Sequence, residues 1–316
     1  MEVFEIIHAG PLTTIQDLGR YGCQQYGIPP SGAMDDYALR VANLIVGNDE
    51  NSAGLEITLL GLKLRVLTGT VIGVTGADLA ITINGNPVSQ WQAIAVHNGD
   101  IISFPRLRSG CRAYLAVGGG LDTPRVMGSA ATYSRAKIGG LEGGPLRDGD
   151  HIRCGIPNLS LVGTRVPCQY IPAYSYQIGL RVILGPQDDH FIEQSIYTLL
   201  HAVYTISNMA DRTGYRLEGP PIQHNDGADI ISDGIPLGAI QVPGDGLPII
   251  LLVDRPTTGG YAKIATVISC DIPKLAQAKP GDKVRFTQVS EQQAHKARRE
   301  YDRKIQTLKA YLTEVR

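Results

Sequence analysis

Neither sign of charge is in excess in this sequence: 316 residues carry 29 Lys plus Arg against 30 Asp plus Glu. No overall field therefore draws the chain to nucleic acid or to an anionic membrane surface, and a small molecule or another protein is the expected partner. Long apolar runs are missing as well. No stretch approaches the roughly 20 apolar residues of a membrane span, and the start MEVFEIIHAGPLTT mixes acids among its apolar residues, unlike a secretory signal. Cysteine is sparse and unpatterned: Cys23, Cys111, Cys154, Cys168 and Cys270 contain no C-x-x-C pair, and an odd number cannot all pair within the chain. They read as reduced thiols of a cytoplasmic protein. Also absent are H-E-x-x-H, G-x-S-x-G, Walker and dinucleotide-fingerprint spacings, so no common hydrolase or nucleotide signature accounts for the chain. Asp188, Asp189 and His190 lie at a helix start, where acids usually cap and complement the dipole, and no second ligand cluster accompanies them, so no metal is expected.

What the sequence does have is short strands and turns. Its 37 glycines come with few helical patterns, which favours closed or sandwich-like β structure over a doubly wound sheet. Residues 76–104 alternate apolar and polar across Asn84-Gly85, a two-residue hairpin signal. A Gly-Asp pair precedes an alternating segment three times, in NGDIISF at 98–104, DGDHIRC at 148–154 and PGDKVRF at 280–286. The spacing predicts helices over 35–46, with Ser31 or Asp35 as cap, over about 189–202, and from Ser290 to the C-terminus, where Ser290 and Gln293 form a capping-box pattern. The proline-rich, aperiodic stretch 155–180 marks a boundary, giving halves at 1–160 and 175–316.

Chemistry concentrates after the apolar run IILLV. In VDRPTTGGYAKIA, residues 253–265, Gly259 and Gly260 lack a Cβ, so their consecutive amides are expected to converge on an oxyanion or phosphate. Thr257 and Thr258 add hydroxyls, Lys263 a cation, and Asp254 a carboxylate to take a proton or orient water. The bland alternative is an ordinary turn after a strand. Asp211, Arg212 and Arg216 surround Gly214, so a guanidinium fork could meet a carboxylate or phosphate, or simply form a solvated ion pair. At the N-terminus, Thr13, Thr14, Gln16, Asp17 and Arg20 suggest an ordered polar loop.

Together GPLTTIQDLGRYG, IPPSGAMDDYALRVANLIVGN, LEITLLG, YLAVGGGLDTPRVMGS, IGGLEGGPLRDGD, DRTGYRLEGP and PTTGGYAKIA run in order over nearly the whole chain. The set resembles the biotin-dependent carboxyltransferase, or allophanate hydrolase subunit 2, family, which includes the carboxyltransferase part of urea carboxylase and the C-type subunit of prokaryotic 5-oxoprolinase. The resemblance implies a mainly β (α+β) fold of two linked cyclophilin-like β-barrel halves, with a few helices, a long C-terminal helix and an active-site cleft between the halves. Carried onto matching positions, it implies that Thr257, Thr258, Gly259, Gly260, Tyr261 and Lys263 line the site. Gln241, Asp245 and Asp254 belong to the same motif, and Arg212 and Arg216 to the DR-x-GYRLEGP one. Among these, Asp254, Lys263, Thr257 and Thr258 are the expected catalytic residues, the others binding substrate or phosphate. The implied activity is opening of the 5-oxoproline lactam to glutamate with ATP and magnesium. In it the chain works as part of a hetero-oligomer with the B-type subunit of that enzyme, together with its A-type one. Phosphorylation of the lactam oxygen would make an imidate that water attacks readily, with substrate carboxylate on Arg212 or Arg216. Two alternatives stand beside it. One is carboxyl transfer from carboxybiotin to a urea-like amide, with biotin carried elsewhere because the chain has no A-M-K-M-type lysine site. The other is a regulatory antagonist that binds a kinase-inhibitor protein.

Overall fold

A computed structural model describes residues 1–314. It is built from short strands and a few helices, as the turn density predicts, and contact density divides it into two compact units. The units are not the contiguous halves expected. The first comprises residues 1–20, 31–174 and the chain from Arg303 onward; the second comprises 21–30 and 175–302.

The first unit wraps one large apolar core in two antiparallel sheets. In the six-stranded sheet the order is His151–Arg153, Glu2–His8, Lys63–Val66, Ile101–Ser103, Thr82–Ile83, Asn86–Pro87. In the five-stranded sheet it is Leu12–Gln16, Gly54–Thr58, Ser109–Val117, Thr70–Asp78, Ala93–Val96. Phe4, Ile6, Leu55, Leu64, Val74, Ile102 and Leu115, all fully or almost fully buried, fill the core from both sheets. The Asp36–Ile45 helix starts where Asp35 caps it by accepting from the Ala38 amide at 2.9 Å. It lies close against the five-stranded sheet, and a Cβ at Gly73 would stand 2.7 Å from the Ala42 carbonyl oxygen, so only glycine allows that approach.

The second unit is a closed barrel. Around the ring run Gln177–Leu184, Lys263–Val267, Ala239–Gln241, Ile249–Leu251, Gly214–Glu218, Tyr204–Ala210 and Lys283–Gln288, the last returning to the first in parallel. Closure leaves the ring no free edge, which is the usual route by which short strands avoid open pairing. Alternation buries Tyr215 and Leu217 and leaves Arg216 and Glu218 outside. A separate two-stranded ribbon, Asp229–Gly234 against Thr258–Tyr261, belongs to the same unit.

The three Gly-Asp turns prove to be one device. Gly99, Gly149 and Gly281 all sit at φ +89°, where a side chain would be strained. In each, the following aspartate turns back on the residue three before it: Asp100 accepts from the His97 amide at 2.7 Å, Asp150 from Arg147 at 2.8 Å, and Asp282 from Lys279 at 3.1 Å. Asn84-Gly85 forms the expected hairpin, with both residues at positive φ. The expected capping box is also present, because the Ser290 amide donates to Gln293 Oε1 at 2.8 Å and the Gln293 amide to Ser290 Oγ at 3.2 Å, opening the Glu291–Glu314 helix. The second helix is shorter than expected, Glu193–His201, since Asp188–His190 forms a separate 3-10 turn. No helix among the described residues is long and apolar enough to cross a membrane.

Candidate functional site

The strand Ile249–Leu251 leaves the barrel and delivers the segment 252–257 onto its rim. Backbone bonds fix the course of that segment: the Leu252 amide donates to the Thr213 carbonyl at 2.9 Å and the Asp254 amide to the Arg212 carbonyl at 3.0 Å. The two motifs that the sequence places about 40 residues apart are thereby brought side by side. Their side chains follow. Arg212 grips Asp254 through Nε at 2.9 Å and Nη2 at 3.2 Å, a two-pronged ion pair with both residues buried. Asp254 is thus already engaged by a cation, and the substrate carboxylate expected on Arg212 meets a guanidinium that holds a carboxylate of its own.

Other predicted residues also find structural work. Arg216 is exposed on the outer face of its strand, in contrast to buried Arg212. Asp245 is exposed and accepts from the Leu247 amide at 3.0 Å, which is turn capping. Lys263 begins a barrel strand and is 1% exposed, its ammonium donating to Asp233 at 3.1 Å. That bond, helped by the Gly234 amide, holds the Asp233 carboxyl below its ordinary range.

The glycine pair requires a correction. Gly259 and Gly260 lie inside the Thr258–Tyr261 strand, paired with Asp229–Gly234, and neither is at positive φ. Successive amides of an extended strand point to opposite sides, so the two cannot converge on one anion as in a nest. What the absence of a Cβ permits is close packing: a Cβ on Gly259 would stand 2.7 Å from Ile235 Cδ1 and 3.0 Å from Gln241 Nε2. Gln241 does meet the motif, since its Nε2 donates to the Tyr261 carbonyl at 3.2 Å. Thr258 and Tyr261 are exposed on the ribbon, and Thr257 is half-buried.

Thr257 lines a hollow of about 330 Å³ together with Gln24, Pro30, Gly234, Ile235, Pro236, Arg255 and Pro256. Arg255 is the member that sequence reading missed. It is 9% exposed, its Nε donating to the Ile235 carbonyl at 2.8 Å and its Nη1 to the Leu252 carbonyl at 3.1 Å. No carboxylate pairs with it among the described residues, and burial pushes the guanidinium pKa down. The one signal in the sequence was its position between Asp254 and Pro256, because a residue before proline is held in the extended region and its side chain is aimed accordingly.

The first unit holds a second polar group that sequence reading left unassigned. Buried Glu56 accepts from the Met34 amide at 2.8 Å and from the Tyr114 hydroxyl at 2.7 Å, and that hydroxyl accepts from the Asp35 amide at 2.8 Å. Burial, then the charges of Glu56 and Asp35, raise the Tyr114 phenol well above its ordinary value. The N-terminal residues act as a clamp. Asp17 accepts from Ser129 Oγ at 2.7 Å and the Ala130 amide at 2.8 Å, while Arg20 donates to the carbonyls of Val126 at 2.9 Å and Ala131 at 2.8 Å. Among the described residues no group of three or more His, Cys, Asp or Glu side chains gathers as a metal site would need.

Comparison with known proteins agrees with this architecture. The carboxyltransferase domain, subdomain A and B, family matches residues 26–288. The C-type subunit of the 5-oxoprolinase of Escherichia coli (strain K12) is 37% identical over 306 residues, covering 97% of this chain and 97% of that protein. The urea amidolyase of Lachancea kluyveri is 35% identical over 332 residues and covers 96% of this chain, which spans 18% of that enzyme. Among solved structures, the Kluyveromyces lactis urea amidolyase superposes with a TM-score of 0.91 at 33% identity, over 97% of this chain and 20% of that one.

Proposed function

The chain belongs to the carboxyltransferase domain, subdomain A and B, family, and from that premise we propose that it serves as the C-type subunit of a 5-oxoprolinase, an enzyme complex that opens the 5-oxoproline lactam to glutamate at the expense of ATP. The observation that carries this reading is the end-to-end match to the Escherichia coli protein, 97% of both chains, against a match to less than a fifth of the urea amidolyase. The partners are the A-type and B-type subunits of the same complex, and ATP with magnesium is its co-substrate.

Within that activity the chain's own residues hold and orient substrate. The phosphate cradle expected at Gly259-Gly260 does not fit, because the amides alternate along a strand and the Lys263 ammonium is occupied by Asp233. No nucleotide step is therefore assigned to these residues. The Arg212–Asp254 fork braces segment 252–257, so that Thr257 is presented at the hollow on a rigid backbone. Gln241 fixes the ribbon through the Tyr261 carbonyl.

The test is reconstitution. The chain combined with its two partner subunits, 5-oxoproline, ATP and magnesium should release glutamate and ADP in equal amounts. Absence of turnover with the complete set folded and assembled removes the reading, and incorporation of bicarbonate-derived carbon into a urea-like acceptor in the presence of carboxybiotin would replace it with carboxyl transfer.

A further inference from the structure

Two buried arginines hold the segment 252–257, and they differ in what they lack. Arg212 has a carboxylate fork; Arg255 has two backbone carbonyls and no counter-ion among the described residues. A guanidinium carries five N–H donors, of which the two carbonyls take one each. The other donors, on Nη1 and Nη2, make no hydrogen bond to another described residue, the Tyr21 phenol is the one neighbour whose interaction favours the charge, and the residue is 9% exposed and borders the hollow. Placing a permanent cation in such surroundings without a partner is unfavourable, and an anion entering the hollow would relieve it.

The walls narrow the class of anion. Pro30, Pro236, Pro256 and Ile235 give a rigid, mostly apolar lining, and Gln24 and Thr257 are the other side chains with polar ends. A space of about 330 Å³ lies at the lower end of small-molecule sites, and a single guanidinium neutralises a monocarboxylate, whereas a phosphate group of about two negative charges would bring uncompensated charge against the apolar walls. We infer that this hollow is the seat of a small cyclic monocarboxylate, whose carboxylate lies on the free edge of Arg255, whose ring lies against the prolines, and whose polar ring substituent meets Thr257 or Gln24. On the lactam-opening reading, on which the identity of the ligand rests, that molecule is 5-oxoproline. Arg255 then takes the place in substrate binding that the sequence motif suggested for Arg212 or Arg216.

Three probes separate the site from the reaction: 5-oxoproline, cyclopentanecarboxylate, which keeps the carboxylate but not the lactam, and 2-pyrrolidinone, which keeps the lactam but not the carboxylate. Binding is read by ligand-observed NMR on the full chain, alone and assembled with its partner subunits. Both carboxylates should bind and pyrrolidinone should not, and Arg255→Gln should weaken both carboxylates about tenfold or more. Because Arg255 also holds two carbonyls, a second variant guards against a folding defect. Gly234 lies on the wall with φ outside the left-handed region, and a Cβ there meets nothing within 4 Å, so Gly234→Leu should occupy the hollow, leave the thermal midpoint unchanged and abolish carboxylate binding. If cyclopentanecarboxylate binds in an Arg255-dependent way while the complete complex does not turn over 5-oxoproline, the site stands and the lactam reading falls. If the complex turns over 5-oxoproline with KM unaltered in both variants, the reading stands and the site is overturned. Failure of wild-type chain and complex to bind either carboxylate overturns the site as well.

Discussion

Asp254 and Arg255 are neighbours in sequence, yet they belong to two regions of opposite character. The 212/254 region is closed: each charge is met by the other through two hydrogen bonds, and both side chains are buried. The 235/255 region is open: a buried guanidinium bonded to carbonyls at one side borders a solvent-reachable hollow at the other. The difference separates bracing from binding. A carboxylate fork neutralises an arginine's charge and fixes backbone, whereas an arginine held only by neutral carbonyls keeps its charge available for a ligand.

The largest expected effect tests the closed side. Asp254→Asn removes the charge from the fork while leaving its shape, so buried Arg212 loses the carboxylate gripping Nε and Nη2. Breaking one side of a buried pair should lower stability by about 3 kcal/mol, measured by denaturant unfolding of the chain. Arg255→Gln, by contrast, leaves two carbonyls without a donor but also removes an unpaired buried charge, and should cost about 1 kcal/mol. The comparison breaks if Arg255→Gln proves the more destabilising of the two.

A second aspartate, buried while its cationic partners are partly exposed, sharpens the point through pH. Fully buried Asp271 accepts from the Arg181 guanidinium at 2.7 and 2.9 Å, from the Arg181 amide at 2.9 Å, and pairs with Lys274 at 2.8 Å. Burial alone would raise its pKa, but these bonds outweigh it and the carboxyl lies below the ordinary aspartate value of 3.8. Since the folded pKa is depressed, the stabilisation is fully present above the unfolded value and is lost as pH falls through the folded one. Asp271→Asn should therefore destabilise by about 2 kcal/mol at neutral pH and flatten the loss of stability in acid below about pH 4. An unfolding curve whose acid limb is as steep in the variant as in the parent would show that this pair is not coupled to folding.

Gly259 links the two regions to the ribbon. A Cβ there meets Ile235 Cδ1 at 2.7 Å, and Ile235 is part of the wall of the hollow. Gly259→Ala should therefore cost about 1 kcal/mol, through displaced side chains, not backbone strain. It should also weaken cyclopentanecarboxylate binding, read by the same NMR titration. Unchanged binding would mean that the wall yields elsewhere.

How far the sequence could be read follows from the range of the interactions involved. The Asn-Gly hairpin, the three Gly-Asp turns and the Ser290–Gln293 capping box rest on contacts within three residues, and each was legible. Strand content was legible from pattern and family resemblance, but whether the two rim motifs meet was not, because they lie about 40 residues apart and only the backbone bonds from Leu252 and Asp254 to Thr213 and Arg212 join them. The glycine pair was misread because Gly-Gly signals both left-handed turns and tight packing, and only pairing with residues 229–234 decides between them. Arg255 was passed over for a related reason: whether an arginine is braced or free depends on partners such as Arg212 taking Asp254 first, a long-range fact no local spacing records.

Lys263 is the intermediate case and carries the smallest expected effect. Its side chain is 1% exposed like a core residue, yet its partner Asp233 is 55% exposed, so the pair is half closed and half open. Removing the ammonium leaves Asp233 free to rehydrate, unlike Arg212 after loss of Asp254, and the stem of Lys263 can be replaced by an apolar one of similar length. Lys263→Met should accordingly change stability by less than about 1 kcal/mol. If Lys263 only anchors the ribbon through Asp233, glutamate release by the reconstituted complex should fall a few-fold, with KM rising along with it, and Asp233→Asn should reproduce the effect. A loss of several orders of magnitude in kcat with Asp233→Asn harmless would instead make the ammonium itself a participant in the reaction, and would place the chemistry on the ribbon side of the rim, not at the Arg255 hollow.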